Sequence, residues 1–317
     1  MRGLIASVVA SLLLAAPAGA RPGQKKNAKD DPSQIGRRDI TKGALDLYSP
    51  QREIEMGREM AQQVERLVSL DDDPRLTGYL QDLTDRIVRN SDAKLPLRVE
   101  VIESNDVNAF ALPGGYFFLD TGLILRTESE AELAGVIAHE VAHVAARHAT
   151  REMTEEEIWN WMSLPVLLFG GPVSFTIQQS LNVAAPITFM EFSRRDERQA
   201  DSLGLQYLYK AGYDPEAFVS FFERAKQMEK DPGELIPRAF SSHPLTRNRV
   251  KAAERQIQRD LPPKPEYVVD TSRYQQAKAQ LQQFLRDQMP LAPAPAKQGP
   301  VLHQSGKAMP SGHGGRQ

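Results

Sequence analysis

Apolar positions along this chain fall into helical and strand periods that follow one another in a readable order. Ile54, Ala61, Val64 and Val68 mark a first helix. Leu76, Tyr79, Leu80, Leu83 and Ile87 mark a second, at i, i+3, i+4, i+7 spacing. The period then drops to two. Leu97, Val99 and Val101 alternate as in a half-buried strand, and Tyr116 to Leu119 resumes extended character after Pro113-Gly114-Gly115. Leu133, Val136, Ile137, Val141 and Val144 form the apolar side of another helix, entered through a capping box at Ser129-Glu130-Ala131-Glu132. Gly212 stops a helix that runs through Glu197, and Asp214-Pro215-Glu216 opens the next with an N-cap and Pro at its first position. Two more helices are expected, from about Pro244 and from Asp270 to about Asp287. The sum is an α+β fold, mainly α-helical, with one small sheet.

Composition divides the chain into segments. Residues 1–20 read as a secretory signal: Arg2, a short apolar run from Leu4 to Ala15, and small residues at Ala18-Gly19-Ala20. An uncleaved anchor is the alternative. Residues 21–48 are polar and mixed in charge and read as a linker, 49–288 as a single domain, and 289–317 as a disordered tail rich in Pro, Gly and Gln. The chain has no cysteine, which excludes disulfides, a lipoprotein signal and any thiolate metal site. A net charge of −2 with no long basic run gives no nucleic-acid surface. Ile158 to Met190 carries no charge, yet Pro165, Gly170, Gly171, Pro172 and Pro186 interrupt it. A soluble lid beside a cleft, a membrane-surface contact and a membrane span all remain open for residues 158–190.

The densest chemistry is His139-Glu140-Val141-Ala142-His143. On a helix the two histidines lie about 40° apart and project from one face, while Glu140 is placed to reach a water on the same ion. A Gly and a His seven and ten residues after His139 would extend the ligand set along the chain. Those positions hold Ala146 and Ala149. His148, carried on the same helix, would point roughly 140° away from His143. The third ligand must then be a carboxylate from a later helix. Glu197 and Asp201 share one face there: Glu197 would complete a His/His/Glu set with one position open, and Asp201 would steady a ligand imidazole from behind. The competing possibility is that these acids form a solvated helix face.

Four motifs in order, NAFALPGGYFFLDTGLI (108–124), HEVAH (139–143), FSRRDERQAD (192–201) and SSHPLTRNRV (241–250), make residues 50 to 260 resemble the zinc metallopeptidases of family 48. That family includes HtpX, the CAAX prenyl endoprotease and BepA-type periplasmic proteases. The resemblance implies a zincin-like fold and one zinc ion per domain on His139, His143 and Glu197, with Glu140 as catalytic base. It also places His243 and Arg249 near the ion as donors to the oxyanion, unless His243-Pro244 merely begins a helix and Arg249 lies on the surface. The chain departs from the family at Gln199, where Glu is frequent.

Asn108 to Phe118 is expected to be an edge strand along which an extended peptide pairs, with Asn108, Ala109, Phe110, Gly114, Gly115 and Tyr116 at the substrate. Gly114-Gly115 as a plain turn is the alternative. The resulting expectation is an exported, periplasmic zinc endopeptidase acting on unfolded or extended polypeptides in envelope quality control. Its rivals are a metal-stabilised chaperone or binding module, and a zinc hydrolase of non-peptide substrates.

Overall fold

The computed structural model describes residues 31–169, 192–228, 243–244 and 246–288, with side chains 159–169 and 288 left aside. The segments read as a signal and as a tail, and most of the charge-free stretch, lie outside the described residues. No described helix is long and apolar enough to cross a membrane.

Nine helices and three strands are described: α1 (Pro50–Glu65), α2 (Pro74–Arg89), β1 (Arg98–Ile102), β2 (Ala109–Ala111), β3 (Tyr116–Asp120), α3 (Thr121–Arg126), α4 (Glu130–Ala146), α5 (His148–Phe169), α6 (Arg194–Lys210), α7 (Glu216–Met228), α8 (Arg247–Asp260) and α9 (Ser272–Gln288). The expected mainly helical α+β architecture is what forms. The strand order is β1-β3-β2, with β1 parallel and β2 antiparallel to β3. Inward residues Val99, Val101, Phe117 and Leu119 join Leu80, Leu83 and Ile87 of α2 and the apolar residues of α4 in the main core. A smaller cluster lies on the other side, where Phe110 stacks on Phe118 with centroids 5.1 Å apart above Ala61 and Val64 of α1.

α4 is buried on nearly every side, the signature of a helix threaded through the interior. Ser129 caps it, its Oγ accepting from the Glu132 amide. Glu132 turns back to the Glu128 amide rather than to Ser129, so only half of the expected box closes. The other acid of that turn, Glu130, is buried and accepts from the Tyr79 and Tyr213 hydroxyls, tying α4 to α2 and the α6–α7 turn.

Four expectations need correction. Residues 21–48 are not simply a linker: from residue 31 the described part packs on the domain. Ile35 and Ile40 enter the core, and Arg38 pairs with Asp92 at 2.8 Å and donates to Gln206. These anchors, with bonds from Thr150 to Asp46 and from the Leu47 amide to Thr154, hold the segment on the domain. Ile54 is exposed, because α1 turns the side bearing Gly57 inward; a Cβ there would meet the Pro113 carbonyl oxygen at 1.7 Å. Asn108–Phe118 is not one edge strand, since Pro113–Gly115 forms a 3-10 turn and β3 lies in the middle of the sheet. Finally, the helix carrying His139 stops at Ala146, where Arg147 adopts a left-handed conformation (φ 55°).

Candidate active site

α4 and α6 approach closely enough that a Cβ on Gly204 would sit 3.1 Å from the His139 amide nitrogen. That glycine lets the N-terminal half of α6 lay Glu197 and Asp201 against the two histidines. His139 and His143 turn their Nε2 atoms toward each other at 3.1 Å. Glu197 reaches both, with Oε2 3.5 Å from His139 Nε2 and Oε1 3.5 Å from His143 Nε2. His243, in the bend ahead of α8, closes the group with Nδ1 2.6 Å from Glu197 Oε1 and Nε2 3.4 Å from Glu140 Oε1. One ligand atom from each of His139, His143, Glu197 and His243 lies within 4.8 Å of the others, and all four residues are buried.

This set fits a metal ion. His139 Nδ1 faces the Asp201 carboxylate, so its Nε2 holds a lone pair that meets Glu197 and His143 Nε2 in a buried pocket, and a shared cation suits that convergence of lone pairs. Two imidazoles and a carboxylate are also the donor types a zinc-like divalent ion takes. Both Glu140 oxygens are buried without a hydrogen-bond partner, as suits a group that receives a proton from a bound molecule.

The electrostatics follow from burial and charge. Burial disfavours a charged His139, but Asp201 and Glu197 outweigh it and raise its pKa to about 9. Burial and the charges of His139 and His243 push His143 well down. Glu140 is raised by burial, against the pull of His243 and His139 and of the nearby Ala111 amide. Burial would also raise Glu197, yet its bonds to His139 and His243 hold it far below the usual carboxylate range.

Asp201 stands behind His139, with Oδ1 3.3 Å from Nδ1, though the pair is not aligned as a full hydrogen bond. Arg249 comes to the site, but not as a donor awaiting substrate. Its Nη1 meets Glu197 Oε2 at 2.7 Å, while Nε and Nη2 grip Asp201 at 2.8 and 2.7 Å. Nη1 also bonds the carbonyls of His243 and Pro244, so the guanidinium clamps the carboxylates and the His243 bend together.

The expected substrate residues divide. Gly114 and Gly115 have φ of 75° and 90° and pack against α1 and Pro96, so they are a turn whose close contacts are internal. Phe110 and Tyr116 pack in the smaller core. The Asn108 carbonyl accepts from Asp120, while its Oδ1 is buried without a partner. Leu112 donates to Tyr116 on the same edge, so the alternation turns the backbone of Ala109 and Ala111 away from β3.

Several neighbours were not foreseen. Phe192 lies against His143 with centroids 4.2 Å apart, and Phe222 edges His139 at 6.0 Å while carrying Arg249 over its face. His148 reaches His143 after all, from the far side of the ring: the two Nδ1 atoms are 3.0 Å apart. The expected 140° separation assumed a helix that continued past Ala146. Gln199, where the family often has Glu, sits 3.2 Å from His148 Nε2. Burial pushes His148 down to about 4 despite Asp196 nearby.

Comparison with known proteins agrees with this geometry. The profile described as Peptidase family M48 matches residues 74–257, more than half of the chain. A beta-barrel assembly-enhancing protease of Yersinia pestis is 31% identical over 264 residues, covering 79% of this chain and 52% of the relative. A putative protease of the same name from Vibrio cholerae is 34% identical over 203 residues, covering 60% and 41%. The mitochondrial metalloendopeptidase OMA1 of Arabidopsis thaliana is 35% identical over 153 residues, covering 48% and 30%. The chain thus spans about half or less of the length of these relatives.

Proposed function

The chain belongs to peptidase family M48, and on that footing we propose that it is a zinc endopeptidase with His139, His143 and Glu197 as ligands and Glu140 as catalytic base. The observation that carries this reading is the buried convergence of these ligand atoms beside a carboxylate with no hydrogen-bond partner of its own. The ion's contribution when bound is to acidify a water and polarise the scissile carbonyl.

Everything else falls to the chain's own residues. Glu140 takes the proton of the attacking water and delivers it to the leaving amine nitrogen. His243, whose Nε2 already faces Glu140, donates to the oxygen of the tetrahedral intermediate. Arg249 positions: it holds Glu197, Asp201 and the His243 bend in one arrangement. Phe192 and Phe222 keep bulk water from the imidazoles, which strengthens each charge interaction there. The contact of His243 with Glu197 also supports a resting form in which His243 takes the open ligand position.

Substrate pairs with the outward backbone of β2, between Ala109 and Ala111, because this edge runs beside Glu140. Main-chain pairing reads little side-chain identity, so unfolded or extended polypeptides are the substrate class. The relatives named beta-barrel assembly-enhancing proteases favour a periplasmic setting and misassembled envelope proteins as targets.

A digest of casein and of an unfolded outer-membrane protein, with and without chelator, tests the reading. Cleavage that stops on chelation and returns with zinc supports it. Binding of both polypeptides without any cleavage would favour the chaperone alternative.

A further inference from the structure

We infer that His148 is a positioning residue for His143, fixing that imidazole's tautomer and orientation so that Nε2 faces the metal. The inference rests on His143 being a ligand. It starts from a turn that sequence periodicity does not show. Arg147, left-handed at φ 55°, ends α4, and its amide bonds back to the carbonyls of His143 and Val144. Its guanidinium is anchored on Glu53 at 2.7 Å, Asp46 at 3.1 Å and the Tyr48 carbonyl at 2.8 Å. A left-handed residue other than glycine is strained, and these three contacts hold it in place. The corner sends His148 back onto the ring that α4 would otherwise have carried it away from.

The hydrogens can be assigned from partners. His148 is wholly buried. Its Nε2 lies 3.2 Å from Gln199 Oε1 and 3.4 Å from Asp196 Oδ1, and a carboxylate there can only accept. Nε2 therefore carries hydrogen, and Nδ1 of the neutral ring holds a lone pair. That lone pair faces His143 Nδ1 at 3.0 Å. His143 then keeps its hydrogen on Nδ1 and leaves Nε2 bare, as a ligand nitrogen must be.

The arrangement gives the first two turns of α6 three tasks. Glu197 supplies a ligand, Asp201 backs His139, and Asp196 with Gln199 backs His143 through His148. Each ligand histidine thus has a partner behind it. For His143 the partner is a second imidazole rather than a carboxylate.

The test is zinc affinity of the full chain by chelator competition, beside the urea midpoint of the metal-free form. His148→Phe keeps the ring volume and loses the acceptor, and should weaken zinc binding about 10- to 100-fold. His148→Asn, whose Oδ1 sits near the lost Nδ1, should recover most of that loss. Equal losses in both variants, matched by equal drops in the metal-free midpoint, would mean His148 is only a packing residue and would overturn the proposal. Unchanged affinity in His148→Phe would overturn it as well.

Nitrogen-15 NMR of histidine-labelled, zinc-loaded wild type gives a readout that no variant's folding can confuse. Hydrogen on Nδ1 of His143 and on Nε2 of His148 is expected, and the opposite tautomers contradict the assignment. His143→Ala separates the two readings. If it keeps zinc, the ligand set itself is wrong; if it loses zinc while His148→Phe does not, only this inference fails.

Discussion

Glu140 is buried with no hydrogen-bond partner on either oxygen, an arrangement that has little structural use. Glu140→Gln preserves its shape and removes the proton acceptor. Turnover should fall by about 10²-fold or more while zinc content stays that of wild type, checked by metal analysis beside a peptide-cleavage assay. Asp120, at the end of β3, offers a prediction about stability. Burial and the neighbouring Asp106 raise its pKa to about 7. A folded-state value above the unfolded one means its stabilising protonated form is complete below about pH 4 and is lost as pH rises through 7. Asp120→Asn should therefore gain on wild type steadily between pH 4 and pH 8. Urea midpoints of both chains, measured in chelator, would show it; a constant difference across that range would contradict the assignment.

At the scale of elements, the site depends on how near α6 can lie to α4. A methyl group on Gly204 would stand 3.1 Å from the His139 amide, so the helices must part by a few tenths of an ångström. Gly204→Ala should lower zinc affinity measurably and Gly204→Val considerably more, although neither alters a ligand side chain; competition with a chromophoric chelator measures both. Legibility in the sequence followed the range of the signal. His139, Glu140 and His143 share one helix, and Glu197 and Asp201 another, so local spacing was enough to find them. Resemblance points to Arg249 but not to its grip on Glu197 and Asp201, because which carboxylates a guanidinium meets depends on helix packing. Periodicity turns His148 away from His143 because no glycine or proline announces the end of α4; the left-handed Arg147 is held there by Glu53, Asp46 and Tyr48, residues about a hundred positions earlier. The strand reading of 108–118 failed at a turn whose glycines pack on α1 and Pro96, another contact that periodicity cannot carry.

Over the whole molecule, the proposed metal centre joins parts of the chain more than a hundred residues apart. α4, α6 and the bend before α8 converge there and at Arg249. Zinc should thus stabilise the fold as well as serve the reaction. At a concentration about 100 times its Kd, it contributes about 2.7 kcal/mol. For a domain of this size, Tm should fall by roughly 5–10 °C when the ion is removed, as calorimetry with and without chelator would record. The described part of residues 31–48 belongs to the same body, since Arg38 bridges Asp92 and Gln206, and a chain truncated to begin at residue 49 should be less stable than one beginning at 31. The most direct test of the central claim is a zinc titration of the metal-free wild-type chain with cleavage of an unfolded polypeptide followed at each addition. Cleavage should rise from near zero and level off at one equivalent of zinc per chain. Cleavage that is complete before any zinc is added, or that never appears at any ratio, would contradict the account.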